Sequence, residues 1–193
     1  MEIRISVDDG SVEDLKVLEY LKKYNLCDKT TFYIALNNSQ IKIMNDNDIF
    51  ECSKYVDIGG HNYDHITTNL LDDCDQLWQM IKGKKYLECV AKREIKKYAP
   101  TRGWHNPRMI ENAKKVGFTE FRTMKQGQIE KTDDFVQNIT VHFHPSHIDK
   151  FDNLFTEAKN KENGYCHLTC HGWEIEKFKM WDKFEKILKK LCE

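Results

Sequence analysis

Apolar positions along the chain fall into short runs separated by stretches with helical spacing. Ile3–Val7 reads as a strand ending at Asp8-Asp9-Gly10. Ser11, with Asp14 three residues later, reads as the cap of a helix carrying Val12, Leu15, Leu18 and Leu21 on one face. Thr31–Leu36 and Tyr55–Ile58 are the next β-rich runs, the second closed by Gly59-Gly60. From Asp72 to Lys97 the pattern is helical, with Leu77, Met80 and Ile81 recurring. Asn106-Pro107 is a cap followed by proline at the first helical position, and Gly117 terminates that helix. Ile139–Phe143 and Cys166–Thr169 are later strands. A last helix from Lys177 to Leu191 turns Phe178, Trp181, Phe184, Ile187 and Leu188 inward.

Strands alternating with helices predict an α/β fold, a parallel sheet with helices outside it, open or closed into a barrel. Chemistry in such folds sits at the C-terminal ends of the strands, and the unusual polar residues do follow the apolar runs. Asp8-Asp9 follows Ile3–Val7, His61 follows Tyr55–Ile58 and two glycines, His144 ends Ile139–Phe143, and His171 ends Cys166–Thr169.

The 193 residues fit a single domain, 1–193, and 40% hydrophobic with 32% charged residues is a folded rather than a disordered balance. A formal net charge of -1 provides no field to attract nucleic acid or an anionic membrane. Seven scattered cysteines without a close pair suit reduced thiols better than a disulfide framework. Met1-Glu2-Ile3-Arg4 runs straight into the first strand, and no run of about 18 apolar residues occurs. The expectation is a cytoplasmic protein.

A hydrolytic metal site needs about three protein ligands and an open position for water. His61 and His65 are four residues apart, so one helical turn would place both imidazoles on one side. One carboxylate of Asp8-Asp9 can complete the set while the other takes a proton from water, and His171 can protonate a leaving group. Imidazoles with a carboxylate suit a divalent cation, zinc first. Each piece also has a plain reading. Asp-Asp-Gly is a common turn, H-x-x-x-H occurs on surfaces, and Cys166 to His171 could belong to a thiolate zinc knot. As a strand, that last segment sends Cys166, Leu168 and Cys170 one way and His167, Thr169 and His171 the other. His142 and His144 share a strand face and suit a supporting or packing role, while His105 and His147 suit exposed loops.

Taken in order, these segments resemble the polysaccharide deacetylases, the fourth family of carbohydrate esterases. Ile5-Ser6-Val7-Asp8-Asp9-Gly10 is similar to that family's T-F-D-D motif, and Gly60-His61-Asn62-Tyr63-Asp64-His65 to its H-[ST]-x-x-H motif, with Asn62 a departure. Tyr98-Ala99-Pro100-Thr101-Arg102-Gly103 and the helix after Asn106-Pro107 match the frame of the third motif, and Cys170-His171-Gly172-Trp173-Glu174 the histidine-bearing fifth.

The resemblance implies a distorted, often incomplete (β/α) barrel and a deacetylase acting on N-acetylated glycans. Asp8 would be the base and His171 the acid. Asp9, His61 and His65 would hold the metal, and Pro100, Arg102 and Trp173 would lie at the substrate. The family's usual arginine falls at Ala99, so either Arg102 reaches the same carboxylate from a new position or that contact is lost. No fourth motif, which normally orients the acid, is visible. Two other functions compete: an amide or ester hydrolase of small non-sugar substrates, and a metal-containing binding module without turnover.

Overall fold

In the computed structural model, which describes residues 1–193, β1 (Glu2–Asp9) runs within an eight-stranded parallel sheet. The other strands are β2 (Thr30–Ile34), β3 (Asp57–Gly60), β4 (Lys97–Tyr98), β5 (Glu120–Arg122), β6 (Val136–Gln137), β7 (Val141–His142) and β8 (Tyr165–Cys170). Their spatial order is β6-β5-β4-β3-β2-β1-β8-β7. The two edge strands are consecutive in sequence, joined by Asn138, Ile139 and Thr140 alone. That link is held from both sides: Ile139 N–H donates to Lys125 O (3.0 Å), in the segment after β5, and Thr140 N–H to His167 O (2.9 Å) on β8. The sheet is therefore curled into a distorted, incomplete (β/α) barrel: the parallel sheet is what the alternating pattern predicts, and the incomplete barrel is what the resemblance implies.

The helices are α1 (Asp14–Lys23), α2 (Asp46–Ser53), α3 (Asp73–Ala91), α4 (Pro107–Val116), α5 (Phe151–Lys159), α6 (Gly172–Lys177) and α7 (Trp181–Leu191). Their apolar faces cover the outer side of the sheet, and alternation along each strand divides the two sides. On β8, Cys166, Leu168 and Cys170 join the apolar core. His167 takes the opposite side, where its Nε2 meets Ser6 Oγ at 2.5 Å and its Nδ1 meets Tyr165 OH at 2.8 Å. The thiols thus face away from His171, and all seven cysteines are free. No helix is long and apolar enough to cross a membrane.

Several elements differ from the pattern-based expectation. β4, β5 and β6 are two or three residues long, too short for alternation to register. α2, with its Asn45–Asp48 capping box, and α5 were also not expected. α1 begins at Asp14 rather than Val12, and buries Val17, Leu18 and Leu21.

α3 turns Gln76, Gln79, Met80, Gly83, Leu87 and Ala91 inward, whereas Ile81 is 39% exposed. Its inner face is partly polar because it covers the backbone of the loop after β3. Gln79 Oε1 accepts from the N–H groups of Tyr63 (3.1 Å) and Asp64 (2.8 Å), and Gln76 Nε2 donates to Thr68 O (3.1 Å). Gly83 completes the fit, since a Cβ there would lie 2.9 Å from Asn62 backbone atoms. The expected C-terminal helix is broken at Lys179, whose φ is 55°, into α6 and α7. Phe178 is consequently 39% exposed rather than on an inner face.

Candidate active site

The C-terminal ends of β1, β3 and β8 bring Asp8, Asp9, His61, His65 and His171 to one cavity of about 390 Å³, whose wall also includes Gln40, Arg102, Met124, His142 and Trp173. Asp9 and Gly10 end β1 with φ of 81° and 74°. The left-handed region costs a non-glycine residue roughly 1–3 kcal/mol and is tolerated where function needs the geometry. Here it turns two adjacent carboxylates into different surroundings.

Asp9 Oδ1 lies 3.3 Å from His61 Nε2 and 3.0 Å from His65 Nε2, yet it is buried without hydrogen-bonding geometry to either. Three donor atoms converging without protons correctly placed between them is what a cation would resolve, so the residues fit a divalent metal. Asp9 Oδ2 accepts from Trp173 Nε1 (2.9 Å). His61 Nδ1 meets Ala99 O at 2.8 Å, which assigns its hydrogen there and leaves the Nε2 lone pair facing the cluster. Burial alone would raise the Asp9 carboxyl, but the imidazoles of His61 and His65 and the charge of His171 hold it well below the usual range.

His61 and His65 do not share a helical turn, as their spacing suggested. They flank a loop in which Asn62 has a φ of 64°. Asn62 tolerates that conformation, and its buried amide braces the loop. Tyr98 OH donates to Oδ1 (2.5 Å), and Nδ2 donates to Thr101 Oγ1 (3.0 Å) and Thr68 Oγ1 (3.3 Å). Asn62, the departure from the motif, is therefore a structural member. Beyond it, Asp64 is pinned by Gln79 and Asn37, and His65 N–H donates to Asn37 O (2.9 Å).

Asp8 is gripped by a residue the sequence reading missed. Arg122, at the end of β5 and 0% exposed, donates from NH2 to both Asp8 oxygens at 2.6 Å. Its guanidinium lies 4.9 Å from the centre of the Tyr33 ring. Arg102 does not make this contact. It sits exposed at the cavity mouth, with a φ of 59°. Pro100 is buried and does not line the cavity, unlike Arg102 and Trp173. No apolar run announces Arg122, since Phe118 to Arg122 holds only two apolar residues and β5 is three residues long.

His171 Nε2 lies 4.0 Å from Asp8 Oδ2 and 3.9 Å from Asp9 Oδ2. Its Nδ1 is 2.9 Å from Glu174 Oε2, three residues on at the start of α6, and 3.2 Å from His142 Nε2. Glu174 is thus the orienting group that no separate motif revealed. Burial alone would lower the His171 imidazole; the Glu174 hydrogen bond and the Asp9 and Asp8 charges outweigh it and raise it to about 9. Glu174 falls to about 2 despite burial, held by His142 and His171. His142 itself is lowered, burial outweighing Glu174.

The loop carrying His171 is tied to α1 through Asp14, whose Oδ1 accepts from Gly172 N–H (2.9 Å) and Ser11 Oγ (3.0 Å), while Oδ2 has no partner. Burial pushes Asp14 up to about 8, with the Asp9 charge adding to it and the two hydrogen bonds opposing it. The metal-free folded protein therefore holds a proton that the unfolded chain releases from its ordinary value of 3.8. Stability should fall as pH rises from about 4 to about 8. Asp14→Asn should remove that dependence. Urea unfolding at pH 5 and pH 8 should show the variant gaining on the wild type by a few kcal/mol at the higher pH; a constant difference would contradict the buried proton.

Solved structures of similar fold are family 4 carbohydrate esterases and relatives. The family 4 carbohydrate esterase from Streptomyces lividans, in complex with acetate, superposes with a TM-score of 0.66 at 13% identity, covering 98% of this chain and 88% of that one. The Streptococcus pyogenes deacetylase PplD, also with acetate, gives 0.60 at 16% identity over 70% of this chain, and the match spans 62% of its length. A family 4 pseudoenzyme from Bacillus anthracis gives 0.60 at 14% identity, covering 98% of this chain and 60% of that one. No curated protein sequence matches the chain. The polysaccharide deacetylase family profile matches residues 2–121, and the chain belongs to that family.

Proposed function

We propose that this chain is a metal-dependent hydrolase that removes N-acetyl groups from amino-sugar glycans or glycoconjugates. The observation that supports it best is the pairing, in one cavity, of an arginine-held carboxylate with a carboxylate-held imidazole beside the Asp9, His61 and His65 cluster. Those three residues would hold the cation, with Zn²⁺ the first choice for two imidazoles and a carboxylate. When bound, it would supply Lewis acidity toward the acetyl carbonyl and toward water.

The protein's own part is proton management. Asp8, fixed by Arg122, accepts a proton from the water that attacks the acetyl carbon. His171, cationic at neutral pH, gives its Nε2 proton to the departing amine as the C–N bond breaks. Glu174 holds His171 through Nδ1, leaving Nε2 toward the reaction space. Acetate and a free amino sugar leave. Trp173 and Arg102, at the cavity wall and mouth, would meet the glycan.

The test is acetate release from N-acetylglucosamine oligomers and from a small aryl acetate, with Zn²⁺ and after chelation. Release from the oligomers that disappears on chelation is expected. His65→Ala should lose most bound metal, because a three-donor site loses geometry and charge with one donor gone. Release from the aryl ester alone would favour a small-substrate hydrolase. Bound metal with no release from either would favour a binding module.

A further inference from the structure

A second set of three donors converges beside the first, two of them in the wall of the same cavity. His142 Nε2 on β7 lies 3.2 Å from His171 Nδ1 and 3.1 Å from Glu174 Oε2, and the latter two are 2.9 Å apart. The corresponding approaches to Asp9 Oδ1 are 3.3 and 3.0 Å.

In the metal-free protein Glu174 Oε2 can accept a hydrogen from each imidazole. The same three atoms are also spaced so that one cation about 2.0–2.2 Å from each could replace those hydrogens, with all three then offering lone pairs. The donors come from β7, the end of β8 and α6, so the barrel wall rather than one flexible segment builds the set.

We propose that His142, His171 and Glu174 form a second site for a divalent first-row cation such as Zn²⁺. It is the weaker of the two. Its side chains are 12–14% exposed, against 3–10% for Asp9, His61 and His65. His171 links the sites, with Nδ1 in the second set and Nε2 toward Asp8 and Asp9. A cation on Nδ1 displaces the hydrogen there, so filling the second site takes away the cationic imidazole. The effect on turnover rests on the function proposed above; the binding itself does not.

The test is Zn²⁺ binding, by equilibrium dialysis with elemental analysis, to protein in which Cys27, Cys74, Cys89 and Cys192 are replaced by serine so that accessible thiols do not contribute. Two equivalents are expected. His142→Ala, or Glu174→Gln should His142→Ala not fold, loses the weaker one, and His61→Ala loses the tighter one. A single equivalent at excess Zn²⁺, or a weaker equivalent that survives in the folded second-site variants, overturns the proposal. With an N-acetylglucosamine oligomer, wild-type acetate release should rise and then fall several-fold as Zn²⁺ increases. A second equivalent with no acetate release at any Zn²⁺ level would leave the second site standing and count against the deacetylase reading alone.

Discussion

Asp8→Asn should lower turnover by roughly 10²–10⁴-fold, the loss typical of removing a positioned general base, while the metal held by Asp9, His61 and His65 is retained. Asparagine keeps the shape of the side chain but cannot accept the proton. Asp9, the carboxylate proposed to bind the cation, is untouched, so elemental analysis should show unchanged metal content. Asp9→Asn should do the opposite, lowering metal affinity first, with activity partly rescued by excess metal.

The partner of Asp8 makes the prediction sharper. Arg122 is fully buried and reaches both carboxylate oxygens at 2.6 Å. Removing one member of a buried ion pair leaves the other uncompensated, at a cost of about 3–5 kcal/mol. Arg122→Met and Asp8→Asn should each destabilise the protein, and the double variant should lose less than their sum. A merely structural arginine would alter stability alone. A positioning one also lowers turnover at unchanged metal content, because Asp8 is no longer held in place by the two contacts at 2.6 Å. If folded, metal-loaded Arg122→Met turns over as fast as the wild type, the positioning role fails.

His171→Ala should also cost roughly 10²–10⁴-fold in turnover, with the metal at Asp9, His61 and His65 kept. The pH dependence follows from the raised imidazole. An acid works only while protonated, so the hydrogen bond to Glu174, the largest cause raising the imidazole, should place the alkaline fall in activity above the ordinary histidine value of 6.5. Glu174→Gln removes the hydrogen bond and charge that offset burial, so the alkaline limb should move down toward the ordinary histidine value of 6.5. The same linkage acts on folding. A histidine raised in the folded state adds stability that is complete below 6.5 and lost as pH rises through about 9. Equal alkaline limbs in wild type and Glu174→Gln would exclude this role for Glu174.

Local pattern was enough to place the longer strands, because β1 and β8 bury consecutive residues while keeping polar groups at their ends. It was enough also for α4, where Asn106 accepts from Met109 N–H and Gly117 takes the left-handed turn at 87°. Position after an apolar run likewise singled out Asp8, Asp9, His61 and His171, since strand ends gather at one face, and the four-residue spacing from His61 added His65. The reason offered for the two histidines was wrong. A positive-φ asparagine and a glutamine from α3 bring them together, not a helical turn.

What supports these residues was decided only in three dimensions. Arg122 lies 114 residues from Asp8 along the chain and on a three-residue strand, too short to show a period. Its role exists because the parallel sheet curls and brings the end of β5 around to the end of β1. The sequence directed attention to Arg102, nearer the expected motif, but a local left-handed turn puts that side chain at the mouth. Glu174 and His142 reach His171 for a similar reason, through the turn into α6 and the pairing of β7 with β8. Apolar periodicity reports which face of an element is buried. It carries no information on which buried charges will meet, because that depends on the closure of the sheet, and so the site's main residues could be read from the chain while the groups that hold them could not.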